Sequence, residues 1–108
     1  MKLNPFMYRG FDPSRELDDS ANGALVSALI LSPNDAIPFG YIVKDRSLYR
    51  GHLEICSSHG IFSAYASSTD PVVVVEKLKG RILKQLKRWR KSRYSPPGRG
   101  QAGFVAHA

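Results

Sequence analysis

The sequence predicts an α+β fold in the order β-α-β-β-β-α: a four-stranded, mainly antiparallel sheet with two helices packed on one face. Two observations carry that expectation. Consecutive segments between Phe39 and Ser67 alternate in hydropathy and are joined by loops of hairpin length. On either side of that block stands an Asp-Pro step followed by apolar residues at helical spacing. The 108 residues are enough for one modest hydrophobic core. The expected division is a single domain over residues 1–94 and a mobile tail over 95–108.

The elements follow in order. Leu3 to Arg9 has the apolar content of a short strand, and Pro5, which cannot donate to a ladder, places it at an edge or a strand start. Asp12-Pro13 opens the first helix, with Asp as the cap and Pro as the first helical residue. Leu17, Ala21, Ala24, Ala28 and Leu31 then form one apolar stripe. Asn22-Gly23 weakens this helix, because glycine inside a helix costs about 1 kcal/mol relative to alanine. Ser32-Pro33-Asn34-Asp35 ends it. Phe39 to Lys44, Tyr49 to Cys56, and Phe62 to Ser67 are the next three strands, turned at Asp45-Arg46-Ser47 and Ser57-Ser58-His59-Gly60. In the middle one, Tyr49, Leu53 and Ile55 share one face, and Arg50, His52 and Glu54 the other.

Asp70-Pro71 opens the second helix, which runs to about Arg93. Val75, Leu78, Ile82, Leu86 and Trp89 make a continuous apolar stripe that holds it to the sheet and assigns Trp89 to the core. Opposite run Lys77, Arg81, Lys84, Arg88 and Lys91. Between Pro71 and Tyr94 there are nine Lys and Arg against one acidic residue, Glu76, whereas the formal charge of the whole chain is +7. The excess positive charge therefore resides on one element, the footprint expected of a polyanion-binding surface. Ordinary solvated helix faces mix their signs. A membrane-surface helix shares this composition, but here the apolar stripe is needed to cover the sheet. Arg90 and Arg93 lie nearer that stripe, where their stems can be buried.

Other classes of function find little support. Cys56 is the only cysteine, so neither an internal disulfide nor a cysteine metal cluster is expected. No secretory signal or membrane span is legible, and a reducing, cytoplasmic setting fits. His52 and Cys56 share a strand face but stand roughly 13 Å apart on an ideal strand. No zinc-ligand spacing or phosphate loop occurs, and neither an enzyme activity nor a cofactor, metal or small-molecule substrate is expected. Tyr41, Tyr49 and Tyr65 would make a base-stacking platform only if they shared a face, which the sequence does not establish.

The segment Phe62-Ser63-Ala64-Tyr65-Ala66, the Asp70 before the last helix, and Lys79-Gly80-Arg81-Ile82-Leu83-Lys84-Gln85-Leu86-Lys87 resemble the ribosome hibernation-promoting factors. This family is also known as the ribosome-associated inhibitor, protein Y or sigma-54 modulation proteins, and the resemblance is to its short form. Asp12-Pro13-Ser14 is similar to the first-helix opening of some members. The first helix differs from theirs in being short and rich in alanine.

The resemblance implies a translation inhibitor that binds ribosomal RNA in the decoding region of the small ribosomal subunit and holds ribosomes inactive. Combined with the cationic stripe, it names Lys77, Arg81, Lys84, Lys87, Arg88 and Lys91 as RNA-binding residues. The alternative is a non-enzymatic regulatory module that binds an acidic protein partner through the same helix. The edge at Leu3 to Arg9 leaves the oligomeric state open, since it offers a strand to a second chain.

Overall fold

The computed structural model describes residues 6–93, with side chains to residue 92. In chain order its elements are β1 (Phe6–Arg9), α1 (Arg15–Leu31), β2 (Ile37–Asp45), β3 (Leu48–Ser57), β4 (Gly60–Ser68) and α2 (Pro71–Arg93). The sheet order is β1-β2-β3-β4. β1 and β2 are parallel, because α1 carries the chain across between them; β2–β3 and β3–β4 are antiparallel hairpins. The expected mainly antiparallel α+β sheet is therefore present, with both helices on one face. Leu3, Pro5 and the tail over 95–108 lie outside the described residues.

The α1 opening differs from expectation. Asp12-Pro13 does not cap the helix; Ser14 does, in an extended conformation with its Oγ accepting from the Leu17 amide at 3.0 Å. A cap must reach the second or third amide of the helix, and Ser14 stands at that distance while Asp12 is two residues too early. Nor is α1 short, since it runs unbroken for 17 residues through Asn22-Gly23. Leu17, Ala21, Ala24, Leu25 and Ala28 are buried along it, and this tertiary contact outweighs the weak local propensity. The expected stop is present: Ser32 Oγ donates to the Ala28 carbonyl at 2.8 Å, and Pro33 follows.

Register divides the sheet into two unlike faces. Gly40 pairs with Leu53 and Leu53 with Ala64; Ile42 pairs with Gly51 and Gly51 with Ala66. These residues face the helices together with Phe6, Ile55 and Phe62. Small residues here permit close approach. A Cβ on Gly51 would stand 2.5 Å from Val74 Cγ1, and one on Gly40 would stand 2.8 Å from Phe6 Cε1. Against this surface α2 buries Val74, Val75, Leu78, Ile82, Leu86 and Trp89, so the apolar stripe and the core position of Trp89 hold as expected.

One end of the core is closed by edge-to-face rings, Tyr8 on Phe11 at 5.8 Å and Phe11 on Tyr49 at 5.0 Å. Tyr8 Oη donates to Asp18 Oδ1 at 3.3 Å, joining β1 to α1. Burial, with the Asp18 carboxylate beside it, pushes this hydroxyl up to about 12.

Two stability measurements follow from these contacts. A Cβ on Gly23 would meet nothing within 4 Å, so Gly23→Ala should stabilise the protein by about 0.5–1 kcal/mol, read as a higher urea midpoint. The folded Tyr8 hydroxyl titrates near 12 and an unfolded tyrosine near about 10. The contribution of its neutral form is thus complete below the unfolded value and lost as pH rises through the folded one. The stability difference between the wild type and Tyr8→Phe should be constant up to about pH 10 and shrink above it.

Candidate nucleic-acid interface

α2 begins as its sequence requires. Asp70 Oδ1 accepts from the Val72 amide at 2.9 Å, and Pro71, whose missing N–H would be unbonded there anyway, is the first helical residue. From this end the helix runs back antiparallel to β4, the exposed edge strand of the sheet.

Four helical residues rise about 6 Å and two strand residues about 6.6 Å. Side chains at every fourth position of α2 therefore meet every second backbone group along the β4 edge. Lys77 Nζ donates to the Ser67 carbonyl at 3.1 Å, and Arg81 Nη1 donates to the Tyr65 carbonyl. Gln85 Nε2 donates to the Ser63 carbonyl at 2.5 Å, and Gln85 Oε1 accepts from the Ser63 amide at 3.1 Å. This ladder covers an edge that would otherwise present unpaired backbone groups to another chain.

The expected RNA-binding residues thus separate into two groups. Lys77 and Arg81 lie on the β4 side, each with one donor engaged by the edge. Lys84, Lys87 and Arg88 are exposed and make no hydrogen bond or ion pair among the described residues, and Lys91 is exposed beside them. Lys77, Arg81, Lys84 and Lys87 frame an open groove of about 420 Å³ on the solvent side of α2, with Gly80 in its floor. A Cβ at Gly80 would meet nothing within 4 Å, so glycine there leaves room rather than relieving a clash. Arg90 is half-buried, and the side chain of Arg93 lies outside the described residues.

Neither described helix covers the other face of the sheet. Met7, Tyr41, His52 and Tyr65 are cross-strand partners in one row across all four strands. Phe39 adjoins this row. Tyr49 belongs to the opposite face, so of the three tyrosines only Tyr41 and Tyr65 share this one, with His52 between them. His52 was expected on a polar face, yet it is only 7% exposed. Its ring is parallel to that of Tyr65 at 4.3 Å, and the Tyr41 ring stands across it at 5.3 Å. Sequence pattern missed this row because it needs the register of three strand pairs at once. Gln85 was missed as well, since it carries no charge and its part depends on where β4 lies.

The His52 to Cys56 line does not form a catalytic arrangement. Glu54 lies between them, with Oε1 at 3.5 Å from His52 Nε2 and Oε2 accepting from Cys56 Sγ at 3.1 Å. At this separation the His52–Glu54 contact does not count as a hydrogen bond, and Nε2 is buried with no hydrogen-bond partner among the described residues. The hydrogen bond to Glu54, then burial and the carboxylate charge, push the Cys56 thiol up, the reverse of what a nucleophile requires. No group of three or more His, Cys, Asp or Glu suited to a metal ion occurs among the described residues. Nor is any described helix long and apolar enough to cross a membrane.

Removing the edge ladder has a measurable consequence. Gln85→Ala should destabilise the protein by about 1–3 kcal/mol, the range for leaving half-buried backbone groups unbonded. Amide exchange at Ser63 should accelerate in the same variant, while that at Leu53, within the sheet, should change only as global stability does.

No protein-family model matches the chain, and no curated protein matches it in sequence. Solved structures match its fold. The N-terminal domain of Thermus thermophilus protein Y superposes with a TM-score of 0.65 at 15% identity, covering 83% of this chain and 100% of that one. A ribosomal subunit interface protein from Coxiella burnetii gives a TM-score of 0.64 at 15% identity, covering 80% of this chain and 97% of that one. With those structures covered over nearly their full length at these TM-scores, the chain has the fold of the protein Y N-terminal domain.

Proposed function

We propose that this protein is a ribosome-associated translation inhibitor of the hibernation-factor type, which binds ribosomal RNA of the small subunit through α2 and holds ribosomes inactive. The observation that carries the reading is the strongly cationic solvent face of α2, opposed only by Glu76, where Lys84, Lys87 and Arg88 make no hydrogen bond or ion pair among the described residues after the β4 edge is covered. Two further supports are the fold shared with a protein Y domain and with a ribosomal subunit interface protein, and the matching motif residues from Phe62 to Lys87. The decoding region is the site that the family resemblance implies.

The chemistry is phosphate neutralisation. Each Lys or Arg that meets a phosphate releases condensed counterions, so affinity falls steeply as salt rises. A rigid helix presenting cations at steps of three and four residues reads the spacing of phosphates in structured RNA rather than base identity. Arg81 and Arg88 add planar, forked donors that can grip two phosphate oxygens at once. Lys77 and Arg81 contribute their remaining donors, while Lys91 extends the face toward the helix end. The protein acts without chemistry of its own, in the cytoplasm, with residues 1–94 as the binding domain and 95–108 as a tail.

Sedimentation with small ribosomal subunits through a sucrose gradient tests the proposal. Wild-type protein should travel with the subunits at low salt and shift to the top of the gradient as salt rises. About six phosphate contacts would weaken binding on the order of 10³-fold between 50 and 200 mM salt. The double substitution Lys84→Glu, Arg88→Glu should abolish co-sedimentation while leaving the circular dichroism spectrum unchanged. Unaltered co-sedimentation, or association with an acidic protein that survives nuclease treatment, would overturn it.

A further inference from the structure

The sheet face opposite the two described helices adjoins the cationic side of α2, and the two meet at the β4 edge. Tyr65 is 63% exposed, although one side of its ring lies parallel to His52 at 4.3 Å with an interplanar angle of 3°. The stack fixes the ring, and its other side is left to solvent. Beside it a basin of about 470 Å³ is lined by Tyr41, Tyr65, Arg50, Ser67, Lys77 and Arg81, with the backbone of β3 and β4 beneath. Its three cations are incompletely engaged. Arg50 makes an exposed pair with Asp45 at 3.5 Å, which contributes little in water. Lys77 and Arg81 each donate to a carbonyl of β4 and have further donors.

We propose that this basin is a nucleotide subsite for single-stranded RNA, in which an unpaired base stacks on the face of Tyr65 turned away from His52 and its phosphate is held by Arg50, Lys77 and Arg81. The inference rests on the reading that the ligand of α2 is RNA, and extends it from shape recognition of a phosphate path to capture of one base.

The chemistry of the basin favours this occupant. A nucleobase offers a π-face to a fixed aromatic ring and brings a phosphate within reach of the cations at the rim. An acidic peptide would use the cations but not the rings. A second copy of the chain would bring the same +7 charge against the same cluster. Four-stranded sheets with helices on one side are a known platform for stacking bases on the open face. Aromatic rings do this without sequence preference, because every base has a π-face. The subsite therefore takes an unpaired nucleotide of any identity, as found at loops, bulges and strand ends.

Fluorescence anisotropy tests this with the full chain and a labelled eight-nucleotide single-stranded RNA, set against an oligomer of the same length with abasic sugars. Tyr65→Ala should weaken binding of the ordinary RNA by roughly 5- to 150-fold, the range for loss of one base stack. Tyr65→Phe, which keeps the ring, should bind as the wild type does. The abasic oligomer should bind weakly, and equally to wild type and Tyr65→Ala. Equal affinities of wild type and Tyr65→Ala for the ordinary RNA would overturn the subsite, as would equal affinities of the wild type for the two oligomers.

Co-sedimentation of the wild type with small subunits, measured in parallel, separates the two ideas. If that persists while Tyr65 proves immaterial, the subsite fails and the ribosome reading stands. If the wild type binds neither subunits nor oligomer but binds polyglutamate, both fail. A concentration-dependent dimer that Tyr65→Ala abolishes, with no RNA binding, would likewise assign the face to a second copy and overturn the subsite.

Discussion

Two residues of strand and four of helix advance along their axes by nearly the same distance, and the architecture depends on that match between β4 and α2. It lets Lys77, Arg81 and Gln85 meet the backbone of Ser67, Tyr65 and Ser63 in succession. The same helix is pressed onto the sheet by Val74, Leu78 and Ile82, and Gly51 leaves room for that approach. Apolar burial thus sets the depth of the helix, and the edge ladder sets its position along the strand. With α2 so placed, α1 packs beside it on the same layer, and the alanines of α1 keep that layer thin.

The same placement divides the positive charge of α2. A helix with nine cations and one carboxylate repels itself, and several features offset that repulsion. Exposure to water and salt screens the outermost charges. Lys77 and Arg81 keep their charge but are stabilised by the carbonyl dipoles of β4 that accept from them. Arg88, Arg90 and Lys91 sit toward the C-terminal end of the helix, where its dipole favours positive charge. Of the remaining exposed cations, Lys84 and Lys87 border the groove with Gly80 in its floor, and Arg88 continues the surface toward the helix end.

Strand alternation gives the sheet two different characters. Toward the helices it presents Gly40, Gly51, Ala64 and Ala66 among larger apolar residues, and away from them it presents rings. His52 shows how far context overrides pattern: on the side facing away from the core it is almost wholly covered, because its neighbours are Tyr41 and Tyr65 rather than water.

Element order, the two stripes of α2, the Asp70 cap and the core position of Trp89 were all legible in the amino-acid sequence. Each depends on residues within a few positions of one another, and helical periodicity is a local property that neighbouring side chains report directly. The α1 cap, at Ser14 rather than Asp12, was a near miss of the same local kind, since both residues can cap and only the geometry of the turn chooses. Tertiary structure alone decided which cations of α2 serve the β4 edge and which face solvent away from it. It alone also aligned Met7, Tyr41, His52 and Tyr65 into one row. Those outcomes rest on strand register and on the axial position of a helix over a sheet, which are set by contacts between distant parts of the chain.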